Sequence, residues 1–268
     1  MKDLVSVIMP TYNSGKTLQR SVDSILNQTY SNLELLITDD CSKDDTAELI
    51  RRLEAKDSRV HATLLTSNFG PGYARNEAIG RAKGRYIAFC DSDDRWFPNK
   101  LERQIAFMDE KKCALSYTSY LVCDEHDNDV GIVVAPEKID LSMLKRDNKI
   151  GCLTAVYDTA LLGQKYFMPT LRKRQDWALF LTILKSCGVA YGITDPLAYY
   201  RDMSGSISSN KFSLVKYNVR VYQQILGYSK FKSYSYFMFC FFPSYSTKVL
   251  KNKINSLRYM AKKKKGKK

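Results

Sequence analysis

Carboxylates crowd at two places in the first hundred residues, Asp39-Asp40 and Asp91-Ser92-Asp93-Asp94. Each group follows a short apolar run, Leu33–Thr38 and Tyr86–Cys90, so each sits where a buried strand should end. Like charges held that close repel one another. Three aspartates in four residues therefore call for a divalent cation with oxygen ligands, Mg²⁺ or Mn²⁺. Such a cation serves a ligand with a diphosphate: it neutralises the phosphates and stabilises charge that builds on a departing nucleotide. Two more polar clusters follow apolar runs. Pro10-Thr11-Tyr12-Asn13 comes after Val5–Met9, and Ser67-Asn68-Phe69-Gly70, then Gly72 and Arg75-Asn76, come after Val60–Thr66. Each cluster has a plainer reading alone. Strand-end aspartates make turns and cap helices, Tyr12 could pack, and Arg75 could be a solvated helix residue. Their convergence on successive strand ends favours a site.

The elements that must position these residues alternate. Thr17–Gln28 carries Leu18, Val22, Ile25 and Leu26 at helical spacing. Ser42 with Asp45 resembles a capping box opening a helix through Ala47, Ile50 and Leu53. Tyr73–Lys83 sets Ala74, Ala78 and Ala82 on one face, and Pro98 suits the first turn of a further helix. Alternating strands and helices predict right-handed crossovers and a mostly parallel, Rossmann-like α/β sheet flanked by helices, with ligands at the strands' carboxyl ends. Beyond residue 113 the pattern loosens, with strands expected at Ala114–Val122 and Gly131–Val134 and a helix at Asp176–Lys185.

Composition narrows the class. Seven cysteines, none spaced as CxxC, exclude a disulfide scaffold and a zinc ribbon and suit a reducing cytosol. His61 and His126 are the only histidines, too few for a multi-histidine metal site. Neither a signal peptide nor a transmembrane helix is expected. There is no P-loop and no GxSxG elbow, and Gly70-x-Gly72 lacks the third glycine of a dinucleotide fingerprint. The net charge of +14 is uneven. Residues 203–268 hold 15 of the 42 Lys and Arg and no acid, which leaves 27 basic against 28 acidic residues before them. The same segment holds 13 of the 32 aromatic residues. A near-neutral body thus carries a basic aromatic helical tail, with the break near 203.

The runs VSVIMPTYNSGKTLQRSVDSILNQTYSNLELLITDDCSKDDT and NFGPGYARNEAIGRAKGRYIAFCDSDDRW resemble the nucleotide-sugar-binding half of family 2 glycosyltransferases with the GT-A fold. The resemblance covers about residues 4–110. It implies that Pro10, Thr11 and Tyr12 line the nucleoside pocket, that Asp40 meets the uracil edge with Asp39 beside it, and that Arg75 lies near the uracil and phosphates. Asn68, Gly72 and Ser92 fall within the implied donor site. Asp91 and Asp93 would form the DXD metal motif, Asp93 as the direct ligand and Asp91 towards the ribose. Further on, Arg174-Gln175-Asp176-Trp177 resembles the family's acidic-aromatic helix start, which makes Asp176 the implied general base; its plainer reading is a helix cap. Tyr199-Tyr200-Arg201 with Ser206-Ile207-Ser208 resembles the loop over the diphosphate and implies Arg201 as a phosphate partner. Met203 departs from the pattern, since many members carry His there.

The expected organisation is a nucleotide-sugar half (1–110), an acceptor half (111–202) and a membrane-associating tail (203–268). The expected activity is metal-assisted, inverting transfer from a nucleotide diphosphate sugar, UDP-linked by expectation, to an acceptor hydroxyl on a saccharide or lipid-linked saccharide, as in bacterial surface polysaccharide or lipopolysaccharide assembly. The alternative is a non-catalytic module on a degenerate transferase fold. For the tail, aromatics beside lysines suit an anionic membrane surface, which would hold the protein peripherally on the inner face of the cell membrane. Packing of the aromatics on the body and a homodimer interface are the other readings. Nucleic acid is not expected, because no helix-turn-helix or zinc finger frames the basic segment.

Overall fold

The computed structural model describes residues 3–202 and 211–265. The apolar runs become the central strands. β1 (Val5–Thr11) is buried along its whole length, and α1 (Leu18–Leu26) leads to β2 (Leu33–Asp39), which is also fully buried. α2 (Thr46–Lys56), β3 (Val60–Leu64), α3 (Pro71–Arg81) and β4 (Tyr86–Phe89) complete the first half. Successive strand residues face opposite sides, so Val5, Val7 and Met9 enter one apolar core while Ile8 enters the other. A strand buried on both faces needs helices on both sides of the sheet, as seen here.

β5 (Arg95–Trp96), α4 (Lys100–Lys111), β6 (Leu115–Cys123), β7 (Asp129–Val133), β8 (Lys138–Asp140) and α5 (Leu141–Arg146) follow. Then come β9 (Val156–Asp158), the short α6 (Thr159–Leu162), α7 (Gln175–Cys187) and the long β10 (Val189–Arg201). The strand order is β3-β2-β1-β4-β9-β6-β10-β5, with β7 on β6 and β8 on β10. The α/β architecture with helices about a central sheet is as expected. The parallel pairing is confined to β3-β2-β1-β4 and to β6-β10; β9 runs antiparallel to both β4 and β6 and joins the halves.

Two local expectations change. Asp45 precedes α2 without a side-chain capping bond, and Ser42 instead donates to Asp39 and accepts from the Asn13 amide, so the capping box is not formed. α4 begins at Lys100, two residues past Pro98, whose carbonyl accepts from Thr29.

The tail comprises α8 (Lys211–Leu226), α9 (Lys230–Tyr236), a π-helical turn (Phe237–Phe241) and α10 (Phe242–Lys265). Its aromatics divide. Tyr222 and Phe241 each lie 5.6 Å, ring centre to ring centre, from the buried Trp177 of α7. Phe231 and Phe239 stay more than 80% exposed. No described helix is long and apolar enough to cross a membrane.

Candidate functional site

The parallel register sets Thr11 opposite Asp39, which brings the first two strand ends together. The Asp39 carboxylate accepts from the Thr11 hydroxyl at 3.1 Å and from the Ser42 amide at 2.9 Å. Asp40 accepts from the amides of Phe69 and Gly70, both at 2.7 Å, while the Asn68 amide group donates to its backbone carbonyl at 3.1 Å. The adjacent aspartates thus tie three strand-end loops into one rim. Pro10 and Thr11 lie buried beneath it, and Tyr12 stands half exposed on it. Phe69 and Tyr73 add a pair of exposed rings, 4.7 Å between centres, that the sequence reading had not singled out.

The fourth strand end faces this rim. Asp91 pairs with Arg75 of α3 at 2.6 Å. Burial opposes the guanidinium's charge, but Asp91 beside it holds its pKa above the ordinary value. The Arg75 Nε is buried without a partner. Ser92 joins its hydroxyl to that of Ser14 at 2.7 Å, and its carbonyl accepts from Ser21 at 2.9 Å. Asp94 is buried and accepts from the Arg201 amide at 3.1 Å. Burial first, and then Asp93 and Asp91, push the Asp94 carboxyl well above the usual range. Asp93 is pushed up to about 6 by burial and by Asp91, against the pull of Arg201 and Arg20. Arg201, at the end of β10, donates to the Glu125 carbonyl and keeps a buried, unpartnered Nε. Met203 and Ser206–Ser208 lie outside the described residues.

The second half reaches the same place through α7. A Cβ on Gly72 would lie 2.3 Å from Gln175 Nε2, so glycine in the first turn of α3 lets the starts of α3 and α7 meet. Asp176, the next residue, accepts from Asn148 Nδ2 at 2.9 Å. Gly72 and Gln175 thus set Asp176 beside the start of α3, the helix whose Arg75 pairs with Asp91. The roles of Gln175 and Asn148 escape sequence reading because the partners that matter, Gly72 and Asp176, lie far from them along the chain.

Among the described residues no three His, Cys, Asp or Glu side chains form a metal cage. The donor chemistry still fits Mg²⁺ or Mn²⁺. These ions are commonly held by one or two carboxylates, with phosphates and water completing the shell. Here Asp91 is already paired by Arg75, while Asp93 carries charge that its surroundings resist.

Comparison with known proteins places the chain. Residues 6–167 match the model of glycosyl transferase family 2. The chain is 42% identical over 225 residues to the Bacillus subtilis glycosyltransferase TuaG, assigned by name only to teichuronic acid biosynthesis, covering 84% of this chain and 89% of that one. It is 44% identical over 216 residues to Escherichia coli WfgD, a UDP-Glc:α-D-GlcNAc-diphosphoundecaprenol β-1,3-glucosyltransferase, covering 80% and 83%. S. aureus TarS, solved with UDP, superposes with a TM-score of 0.63 at 22% identity over 85% of this chain and 68% of that one. The mannosyltransferase PcManGT of Pyrobaculum calidifontis, solved with GDP-Man and Mn²⁺, gives 0.61 at 17% identity over 92% and 73%. These structures share the GT-A fold with it. The family model and the curated relatives agree: this chain belongs to glycosyl transferase family 2 and is a glycosyltransferase.

Proposed function

We propose that this enzyme transfers a hexose from a UDP-sugar to a hydroxyl of a saccharide carried on a polyprenyl diphosphate, with inversion at the anomeric carbon. One observation carries the reading: Asp91 pairs with Arg75 of α3 at 2.6 Å, and the same helix start, at Gly72, packs against Gln175, the residue before Asp176. The relatives support this substrate class, since WfgD and a second E. coli relative, WfaP, are both named for UDP-glucose and a diphosphoundecaprenol-linked acceptor.

In this reading Pro10, Thr11 and Tyr12 hold the nucleoside. Asp40, steadied by Asp39, accepts from the uracil edge, and Asn68, Gly72 and Ser92 complete the donor wall. Arg75 and Arg201 offer guanidinium charge to the diphosphate, Asp91 faces the ribose, and Asp91 and Asp93 hold a divalent cation. That cation would supply positive charge to the leaving UDP. Asp176 takes the proton from the acceptor hydroxyl as its oxygen attacks, so a single displacement inverts the centre. The test incubates the protein with UDP-, GDP- and dTDP-sugars, a GlcNAc-diphospholipid and Mn²⁺, and identifies the product and its linkage. A β-linked disaccharide lipid from a UDP-sugar supports the reading. No product from any donor, or equal turnover in excess EDTA, overturns it.

The tail supports work at the inner face of the cell membrane. α10 is two-sided: Lys248, Ser256, Tyr259 and Lys263 bond inward to the body, while Val249, Leu250, Ile254 and Leu257 are exposed. Lys251, Lys253 and Arg258 are interleaved with this stripe. An apolar stripe flanked by cations suits the headgroup region of an anionic bilayer, where each basic residue contributes about 1 kcal/mol.

A further inference from the structure

Residues 147–149 lie between the site and the tail. Asp147 is fully buried. A buried carboxylate is tolerated only when paired and hydrogen-bonded. Lys149 Nζ lies 2.5 Å from its Oδ2, the Ser244 hydroxyl donates to the same oxygen, and Lys248 Nζ lies 3.2 Å from Oδ1. Lys248 also donates to the carbonyl of Asn148 at 2.5 Å. Ser244 and Lys248 both belong to α10, about a hundred residues further along the chain.

Asn148 is held at both ends of its amide. Its Oδ1 accepts from the Ile150 amide at 3.2 Å, which fixes which side carries the NH₂, and that NH₂ meets Asp176 Oδ2 at 2.9 Å. Tying one oxygen of a carboxylate settles its rotamer and leaves the other to take a proton. Placement matters here, because an error of about 1 Å can cost about 10²-fold in rate.

We propose that Asn148 is a positioning residue for Asp176 and that α10, through Lys248 and Ser244, holds Asn148 in place. The tail is then part of the catalytic apparatus as well as a surface for membrane. This rests on the reading of Asp176 as the base. The chain of contacts runs α10 to Asp147 and the Asn148 carbonyl, then through the Asn148 side chain to Asp176. None of these hydrogen bonds and ion pairs goes to a donor-site residue, so their loss should appear in kcat and not in donor binding.

The experiment uses the full chain with Asn148→Ala, Asn148→Asp, Lys248→Met, Lys248→Arg and Asp176→Asn. It measures kcat, KM for the UDP-sugar, UDP affinity and the pH profile of kcat on a detergent-solubilised lipid-linked acceptor. Asn148→Ala should lower kcat by about 10–100-fold, with KM within about twofold. Asn148→Asp sets a second carboxylate beside the base, so the acid limb of the kcat profile should move to higher pH. Lys248→Met should lower kcat and Lys248→Arg should restore most of it. Should Lys248→Met melt below the assay temperature, the two Asn148 variants decide. Wild-type kcat and an unmoved acid limb in both Asn148 variants, beside an inactive Asp176→Asn, would overturn the positioning role. A fully active Asp176→Asn would instead remove the base assignment.

Discussion

Asp93 and Asp147 are both drawn out of water, and their surroundings treat them in opposite ways. Burial disfavours the charge of each. For Asp93 the neighbouring Asp91 adds to that, and the carboxyl rises to about 6. For Asp147, Lys248, Lys149 and Ser244 outweigh burial and hold it below the ordinary carboxylate value. One carboxylate is settled inside the protein and costs little to keep charged. The other is left with charge that Arg201 and Arg20 compensate only in part, at the end of a strand where ligands of α/β sheets bind. A carboxyl raised in that way at a strand-end cleft is a candidate for function. The fold carries their cost, and the ligand relieves it. The contrast separates an aspartate that builds the molecule from one that the proposed cation and diphosphate would complete.

The largest effects should come from the less compensated side. Asp93→Ala should reduce turnover by more than about 10³-fold, since the proposed cation would lose its carboxylate. Calorimetry should show Mn²⁺-dependent UDP binding lost as well, and near-normal rates in EDTA would break the comparison at its root. Asp176→Asn keeps the size and a hydrogen-bonding group but cannot accept the proton. A loss of about 10²–10⁴ in kcat is expected, with UDP affinity unchanged. If UDP binding fell instead, Asp176 would belong to the donor site.

Stability should distinguish the two aspartates by sign. Asp147→Ala strands buried lysine charge and should cost about 3–5 kcal/mol. Asp93→Asn relieves like-charge repulsion and should stabilise the metal-free protein by about 1–2 kcal/mol at pH 8. The pH dependence follows. The Asp93 pKa is raised from the ordinary 3.8 to about 6. Stability is therefore undiminished below about 4, falls as pH rises towards 6, and is level above. The Asp147 pKa is lowered, so its contribution is full above the ordinary value and is lost as pH falls through the depressed folded value. Urea unfolding of wild type and both variants across pH checks this, and equal signs for the two substitutions would refute the distinction.

The smallest effect concerns the outer face of α10. Leu250→Glu with Leu257→Glu should weaken flotation on anionic vesicles several-fold and leave UDP affinity and fold intact. Wild-type flotation should weaken in high salt without vanishing, because the apolar contribution is not screened. These point changes are a cleaner probe than truncation after Asn210, which would also strip Tyr222 and Phe241 from Trp177. Self-association that disappears in the double variant, with flotation unchanged, would assign the stripe to a second copy of the chain.

Much of the first half was legible because its signals are local. Val5–Met9, Leu33–Thr38 and Tyr86–Cys90 are largely apolar runs, and a run of that length ending in a polar cluster already describes a buried strand opening on a polar edge. The basic, acid-free tail was equally plain, since net charge needs no fold. Partner choice was not legible. Ser42 and Asp45 have the spacing of a cap, yet Ser42 turns to Asp39 because the β1 and β2 loops close over it. Arg75 reads as an ordinary helix residue until β4 sets Asp91 2.6 Å away. The tail reads as one aromatic stretch, but Trp177 of α7 takes Tyr222 and Phe241 and leaves Phe239 outside. Asn148 reaches Asp176 28 residues on, and Lys248 reaches Asp147 from 101 residues further along the chain. Hydrophobic periodicity specifies each element's buried face, because it acts between residues a few positions apart. Which charge meets which is decided only when packing brings distant segments together and removes water from between them.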